Sequence, residues 1–274
     1  MSQIAYIMED KDESIRLDFK TDPETINKQA IWAGIKPGMR IADLGCGPGK
    51  ATFHLNKLVQ PNGSAVGVDI SKERINYAAT HYKDKKLDFI LGDIRAPLEN
   101  LGQFDFIWVR FVLEHYRSTA FDIVKDISAL LKPGGILCLI DLDNNCLSHF
   151  GLSPRLERAI QGIIKVVEKK ADFDPYAGRK LYSFMFDLGF QDIDIELEAH
   201  HLIYGKTNEI DDFNWTKKVE IAGKKSGYKF EEYERGYEDF ADEFKTFFNN
   251  PRRFTYTPII VCKGRKPLNP KTQQ

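Results

Sequence analysis

The sequence predicts an α/β fold, in which a mostly parallel sheet of seven strands is covered by helices on both faces. Short apolar runs alternate with amphipathic helical segments through the first half of the chain. A glycine-rich loop, 45–49, directly follows the first apolar run, and an acidic residue lies at or near the end of each of the first three runs. Strands that alternate with helices form parallel sheets with right-handed crossovers, so these acids should share one edge of the sheet.

The first half of the chain contains five of the expected strands. They are predicted at 41–44, 64–69, 87–93, 104–109 and 136–140. Helices are expected over 50–59, after Ser71, and after Ser118 or Thr119, because serine and threonine are common helix N-caps and the following apolar residues recur at helical spacing.

The second half is less regular. Ser153-Pro154 is typical of a helix start, a further helix is expected over 179–188, and strands are expected near 193–202 and 255–262. We interpret 1–264 as one domain with a core of about 30–142 and 178–264. The cap insertions are expected at about 143–177 and 205–254, and 265–274 as a disordered tail.

Acids at the strand ends indicate what the glycine loop binds. Gly-x-Gly after a strand lets the backbone approach a ligand closely, as in dinucleotide sites. Asp43 beside this loop would repel a pyrophosphate and attract an ammonium or a sulfonium group. Asp69 is placed to accept from two ribose hydroxyls, and Asp93 could accept from an adenine amino group. The pattern therefore favours S-adenosylmethionine (SAM) over NAD.

Five ordered motifs resemble those of class I SAM-dependent methyltransferases. They are Asp43-Leu44-Gly45-Cys46-Gly47-Pro48-Gly49, Gly67-Val68-Asp69-Ile70-Ser71, Gly92-Asp93-Ile94, 104–109 with Leu113-Glu114-His115, and 131–135. The resemblance implies a Rossmann-like fold whose final strand runs antiparallel between the fifth and sixth, with helical insertions over the acceptor pocket. It implies SAM as cofactor, bound by Arg16, Asp43, Gly45, Cys46, Gly47, Asp69, Ile70, Asp93, Ile94 and Arg110.

Two arginines in this set have competing interpretations. Arg110 ends the fourth strand, where its carbonyl could receive the methionine ammonium while its side chain enters the pocket, or it could be a capping or surface residue. Arg16 lies in a segment resembling one whose arginine reaches the methionine carboxylate, which suits a guanidinium. It could instead form an exposed i, i+3 pair with Glu13.

A general base is needed only if the acceptor is protonated. His115 follows the fourth strand and has a suitable unperturbed pKa, although a packing role behind the cofactor is the competing interpretation. Asp141 and Asp143 are alternatives at the end of the fifth strand. His200-His201 does not predict a metal site, because adjacent residues on a strand face opposite ways.

Composition restricts the class of protein. The chain has 274 residues and a formal net charge of −1, so no basic footprint for nucleic acid is expected. Its four cysteines show neither metal-ligand nor disulfide spacing, which favours a reducing, cytoplasmic setting. The N-terminus does not resemble a signal peptide and no apolar run reaches membrane-spanning length, so no membrane association is expected. A homodimer is considered as the assembly.

The motifs and the composition favour methylation of an O, N or C atom of a small-molecule acceptor. The alternatives are methylation of RNA or protein, a non-catalytic SAM-binding partner subunit and, more distantly, a dinucleotide oxidoreductase. We expect a minority of the aromatic residues in and near the insertions to line an acceptor site. The candidates are Phe150, Phe173, Tyr176, Tyr182, Phe184, Trp215, Tyr228 and Phe230.

Overall fold

A single mixed sheet with helices on both faces organises the described part of the chain. A computed structural model of the protein describes residues 13–268. Its strands are Arg40–Leu44 (β1), Ser64–Asp69 (β2), Leu87–Leu91 (β3), Phe104–Arg110 (β4), Leu131–Leu142 (β5), His149–Phe150 (β6), Gln191–Tyr204 (β7) and Phe254–Arg265 (β8). Its α-helices are Glu13–Lys20 (α1), Pro23–Ala33 (α2), Lys50–Val59 (α3), Lys72–His81 (α4), Ala120–Ala129 (α5), Pro154–Lys170 (α6), Leu181–Asp187 (α7), Glu209–Lys225 (α8) and Tyr237–Asn249 (α9).

The strand order confirms the predicted fold class. Strands β3, β2, β1, β4 and β5 lie side by side and run parallel. The final strand, β8, pairs antiparallel with β5 on one edge and with β7 on the other. The two-residue strand β6 adds an eighth member to the expected seven, because it pairs with the part of β8 that extends beyond β5.

Local sequence explains where the helices start. The Ser71 hydroxyl accepts from the backbone N–H of Arg74 at 3.4 Å, which caps α4 as predicted. The Ser153 hydroxyl accepts from the N–H of Leu156 at 3.1 Å, and Pro154 takes the first helical position of α6. Both arrangements satisfy N–H groups that have no partner inside the helix.

Three hydrophobic cores hold the layers together. One face of the sheet packs against α2 and α3, and the opposite face packs against α5 and α7. The third core lies among α6, α8 and α9, and it is rich in aromatic side chains such as Trp215, Phe240 and Phe244. Helices α6, α8 and α9, which we call the cap, therefore have a core of their own.

Some expected boundaries differ from the structure. Helix α5 ends at Ala129 and β5 begins at Leu131 rather than at 136, because the β5 segment before Gly135 already pairs with Phe104. Arg265 belongs to β8 rather than to a tail, and the N–H of Lys266 donates to the carbonyl of Gly135 at 2.8 Å. Residues 269–274 of the predicted tail lie outside the described residues, and the domain limits stay a prediction.

Within residues 13–268, none of the helices combines the length and the apolar character needed to cross a lipid bilayer.

Candidate active site at the carboxyl edge of the sheet

One cavity of about 330 Å³ joins the carboxyl ends of the parallel strands to the cap. Its walls come from the loop after β1, the ends of β2 and β4, helix α1, and the inner faces of α6, α8 and α9. Ligands of open α/β sheets bind at this edge because the strands end there and the loops diverge. The cavity therefore has a sheet end and a cap end.

The glycine loop 45–49 begins with a sharp turn directly after β1. Gly45 has φ +82°, and a side chain there would meet Val112 Cγ2 at 2.3 Å. The N–H groups of Gly45 and Cys46 donate to the carbonyl of Val68 at 2.8 and 3.0 Å, which ties the loop to β2. Gly45, Cys46 and Gly47 line the cavity, as predicted from the motif. Burial raises the pKa of the Cys46 thiol, which stays neutral.

Asp43 lines the sheet end of the cavity and is 2% exposed. The Thr52 hydroxyl donates to its Oδ2 at 2.6 Å. Among residues 13–268 no cationic nitrogen lies within ion-pairing distance of this carboxylate. Burial therefore raises the pKa of Asp43 to about 7, and a cationic ligand would relieve this cost.

Asp69 also lines the cavity, but most of its hydrogen-bonding capacity is already used. Its Oδ2 accepts from the N–H of Gly47 at 2.9 Å. Its Oδ1 accepts from the N–H of Ser71 at 2.9 Å and from Arg74 Nε at 3.0 Å. A carboxylate offers about four acceptor positions, so Asp69 holds the glycine loop in place and retains capacity for a ligand hydroxyl.

Asp93 does not occupy the position expected from the sequence. Its side chain forms a bidentate pair with Arg95, with Nη2 to Oδ2 at 2.6 Å, and it does not line the cavity. Arg95 lies only two residues after Asp93, and the sequence interpretation did not consider this pair. Ile70 and Ile94 do line the cavity, and they give this end an apolar surface.

Arg16 and Arg110 both reach the cavity. Arg16 forms the i, i+3 pair with Glu13 at 2.7 Å, but the pair is buried rather than exposed, since its side chains are 11% and 2% accessible. Arg110 lies over the ring of Phe111 at 4.0 Å, and its Nε has no hydrogen-bond partner within the described residues. Burial lowers the pKa of Arg110 to about 10, so the side chain stays charged.

His115 lies where β4 turns toward the cap, and it lines the cavity. Its Nε2 is 3.6 Å from Glu114 Oε1, and burial lowers the pKa of His115. The Glu114 side chain also accepts from Asn145 Nδ2 at 2.8 Å. Asp141 accepts from the N–H of Glu114 at 3.1 Å, so it orients this turn and does not itself line the cavity.

His149, at the cap end, is a lining residue that the sequence interpretation missed. Its Nδ1 is 2.9 Å from the Thr255 hydroxyl. The other nitrogen, Nε2, is buried without a partner among the described residues. Burial lowers the pKa of His149 to about 4, which leaves a neutral ring with one unused nitrogen.

Comparison with known proteins identifies the family. A family model described as a methyltransferase domain matches residues 35–182, more than half of the chain. The chain belongs to this methyltransferase family. The matched residues include β1 to β5 and the glycine loop, so the sheet end of the site falls inside the family's own segment.

Relatives share this methyltransferase domain over part of their length. Demethylmenaquinone methyltransferase of Lactococcus lactis is 32% identical over 106 residues, covering 37% of this chain and 42% of that protein. The chloroplastic 2-phytyl-1,4-beta-naphthoquinone methyltransferase of Arabidopsis thaliana is 29% identical, covering 60% and 69%. The chain thus spans less than half the length of the first curated relatives that it matches.

A solved structure shows the same fold with less sequence similarity. Phosphoethanolamine N-methyltransferase 2 of Haemonchus contortus, in complex with S-adenosylhomocysteine, aligns with a TM-score of 0.53 and 17% identity. The alignment covers 89% of this chain and 52% of that one. The aligned share is larger than the methyltransferase segment, and the likeness concerns the fold alone.

A minority of the candidate aromatic residues lines the cavity. Phe173 and Trp215 line the cavity, together with Phe240 and Phe244, which the sequence interpretation did not single out. The other six candidates pack elsewhere or face outward. They are Phe150, Tyr176, Tyr182, Phe184, Tyr228 and Phe230.

Two further expectations need correction. Asp143 pairs with Arg179 at 2.7 Å and does not line the cavity, so it cannot contact an acceptor there. The rings of His200 and His201 do not diverge, because an irregularity in the β7–β8 pairing interrupts the alternation and leaves their centroids 4.3 Å apart. Within the described residues no group of three or more potential ligands could hold a metal ion.

Replacing Gly45 with alanine should destabilise the domain more than replacing Gly38. Both glycines have positive φ, +82° and +87°, but a Cβ at Gly38 meets nothing within 4 Å. Gly38→Ala should cost about 1 kcal/mol of unfolding free energy from backbone strain, and Gly45→Ala about 1–3 kcal/mol more from its clash with Val112. Urea unfolding curves measure both, and equal losses would show that the Val112 contact is unimportant.

His149 should remain neutral at every pH above about 5, because burial lowers its pKa to about 4. Its proton should lie on Nδ1, where the Thr255 hydroxyl can accept it, rather than on Nε2, which has no partner among the described residues. Nitrogen-15 NMR of the imidazole side chains measures both the tautomer and the titration. His149→Asn assigns the signal, and Thr255→Val should release the preference for one tautomer. A protonated Nε2, or titration near the ordinary histidine pKa, would contradict this geometry.

Proposed function

We propose that this protein is a SAM-dependent methyltransferase that methylates an O, N or C atom of a small-molecule acceptor. The observation that carries the proposal is the continuity of one cavity, from the Asp43 carboxylate at the strand ends to the aromatic wall of the cap. When bound, SAM supplies an activated methyl group on a cationic sulfur, so the main task left to the protein is to align the acceptor.

The residues of the sheet end suit this cofactor. Asp43 offers a buried negative charge to a ligand carrying ammonium and sulfonium groups. Asp69 is proposed to accept from ribose hydroxyls, and Ile70 and Ile94 to contact the adenine ring with their apolar surfaces. Arg16 and Arg110 are the candidates to face the cofactor carboxylate. Asp93 retains at most a backbone contribution, because its carboxylate is held by Arg95.

Two histidines are candidates for proton removal from a protonated acceptor. His115 remains the candidate from the sequence, but its Nε2 faces the carboxylate of Glu114, which favours donation over acceptance. His149 is the second candidate, because Thr255 engages Nδ1 and leaves Nε2 unused at the cavity wall, but its pKa of about 4 makes it a weak base at neutral pH.

A small-molecule acceptor is supported over a macromolecular one by the cap. Helices α6, α8 and α9 cover the acceptor end with apolar and aromatic side chains, and the chain has a formal net charge of −1. Two relatives are named as methyltransferases of small molecules, demethylmenaquinone and 2-phytyl-1,4-beta-naphthoquinone, which supports the same kind of acceptor here. A non-catalytic SAM-binding subunit is the second candidate, and it would need the cap end to be blocked, whereas the cavity is open there.

Two expectations from the sequence are carried forward as proposals. The four cysteines are free, which is consistent with a reducing, cytoplasmic compartment. A homodimer is supported by an exposed apolar row on β7, the strand at one end of the sheet. That row comprises Ile195, Leu197, Leu202 and Tyr204.

Calorimetric titration tests the cofactor proposal. SAM and S-adenosylhomocysteine should bind with micromolar affinity, and NADH should give no heat. Asp69→Asn should weaken S-adenosylhomocysteine at least tenfold, because it removes a charged acceptor of hydrogen bonds. Asp93→Asn, the matched control, should leave affinity within about twofold, since its carboxylate lies outside the cavity. Binding of NADH alone would refute the methyltransferase proposal.

Binding of S-adenosylhomocysteine should weaken as the pH falls through 7. The pKa of Asp43 is raised to about 7, and only the ionised carboxylate attracts the ligand ammonium, so protonation removes the interaction. Affinity should fall roughly tenfold between pH 7 and pH 5.5. Asp43→Asn should bind weakly at both pH values. 5′-Methylthioadenosine, which lacks the amino acid portion, should show no such dependence. An unchanged affinity for S-adenosylhomocysteine would show that Asp43 does not face the ammonium.

A further inference from the structure

Positive charge is in excess around the cavity. Its lining includes six cationic side chains and three carboxylates, namely Arg16, Lys20, Lys50, Arg74, Arg110 and Lys218 against Asp43, Asp69 and Glu114. Three of the cations have carboxylate partners: Arg74 with Asp69, Arg16 with Glu13, and Lys50 with Asp18. Lys20 and Lys218 have none within 4 Å in the part of the chain that the structure describes.

Lys20 and Lys218 approach the cavity from different elements. Lys20 is the last residue of α1, and its Nζ lies 5.7 Å from the ring centroid of Phe111. Lys218 comes from α8 in the cap, with its Nζ 5.0 Å from the ring of Trp215 and 3.9 Å from Cys146 Sγ. Aromatic faces and a thiol compensate an ammonium only weakly, so both charges lack a strong partner.

Both lysines line the same cavity, and their charges disfavour each other. Burial lowers the pKa of Lys20, and Lys218 is the next largest cause of the lowering. Glu114 is the carboxylate that acts in the opposite direction on Lys20, but its side chain is already held by Asn145 and faces His115. Desolvated like charges are costly unless a ligand compensates them.

The cap wall near Lys218 is largely apolar. Ile160, Ile163 and Val167 of α6 and Phe240 and Phe244 of α9 face the same cavity. A ligand that fits would place an apolar body against this wall and an anionic group toward the lysines. This arrangement suits a ligand that has an apolar body and one acidic group.

We propose that the acceptor is an apolar molecule with an anionic group, which binds between Lys20 of α1 and Lys218 of α8. This inference rests on the proposed function, and it specifies the substrate class of that same site. SAM has two positive groups and one negative group, so its binding adds to the excess of positive charge that the acceptor would offset.

The carboxylate of the cofactor is the competing partner for these lysines. Lys218 belongs to the cap rather than to the strand edge, and two arginines, Arg16 and Arg110, line the cavity together with Asp43. If Lys218 bound the cofactor carboxylate, its removal would weaken S-adenosylhomocysteine but not 5′-methylthioadenosine. If it binds the acceptor, both ligands should keep their affinity.

The test compares 2-naphthoate with 2-naphthamide as probes of the protein saturated with S-adenosylhomocysteine. The two probes share an apolar body and differ in charge. Wild-type protein should bind the carboxylate at least tenfold more tightly than the amide. Lys218→Met, which keeps the aliphatic stem, should abolish that preference. Lys217→Met is the matched control, because Lys217 is next on α8 and pairs outward with Glu220 at 3.6 Å; it should keep the preference.

Three results would overturn the inference. The first is no preference for naphthoate in the wild type, and the second is an equal loss of that preference in Lys218→Met and Lys217→Met. The third is weaker binding of S-adenosylhomocysteine in Lys218→Met alone, with binding of 5′-methylthioadenosine unaffected. Failure of the cofactor proposal is seen separately, as absence of S-adenosylhomocysteine binding to the wild type. Lys20→Met should reproduce the loss of preference from the other side of the cavity, and retention of preference there would be a fourth result that overturns binding between the two lysines.

Discussion

The buried carboxylate of Asp43 is the constraint on which the site depends. A carboxylate that is 2% exposed, with only a threonine hydroxyl as its side-chain donor, is costly to ionise. This cost arises where β1 ends and the glycine loop begins. The chain turns sharply there at Gly45, which has no room for a side chain. A ligand with a positive charge would recover the cost, so the position specifies the charge of what binds.

The neighbouring carboxylate, Asp69, stabilises the fold and is also available to a ligand. Asp69 accepts from the N–H of Gly47 and from Arg74, so it joins the loop after β1 to helix α4 after β2. A substitution there changes the loop as well as any contact with ribose. This shared role explains why a conservative asparagine is more informative than alanine at this position.

Much of the sheet and of its carboxyl edge could be predicted from the sequence, for physical reasons. Period-2 and period-3.6 patterns and the caps at Ser71 and Ser153 depend on residues close in the chain. The glycine loop, Asp43 and Asp69 follow from the same local rules. The pairing of Asp93 with Arg95 was not foreseen, and the directions of His200 and His201 were wrong because a pairing irregularity interrupts simple alternation.

The cap end could not be predicted, because its residues meet through long-range packing. Lys20, His149 and Lys218 are separated by 60 or more residues, and no spacing rule connects α1, β6 and α8. What brings them together is the aromatic core of α6, α8 and α9, which has to pack over the strand ends. The cap thus contributes two properties to one cavity, an apolar wall and a positive charge. The strand edge contributes the negative charge of Asp43 and the acceptor atoms of Asp69. A cavity that offers an apolar wall at one end and a buried carboxylate at the other can hold two different ligands side by side, and alignment of the reactants is the main demand that methyl transfer makes on a protein.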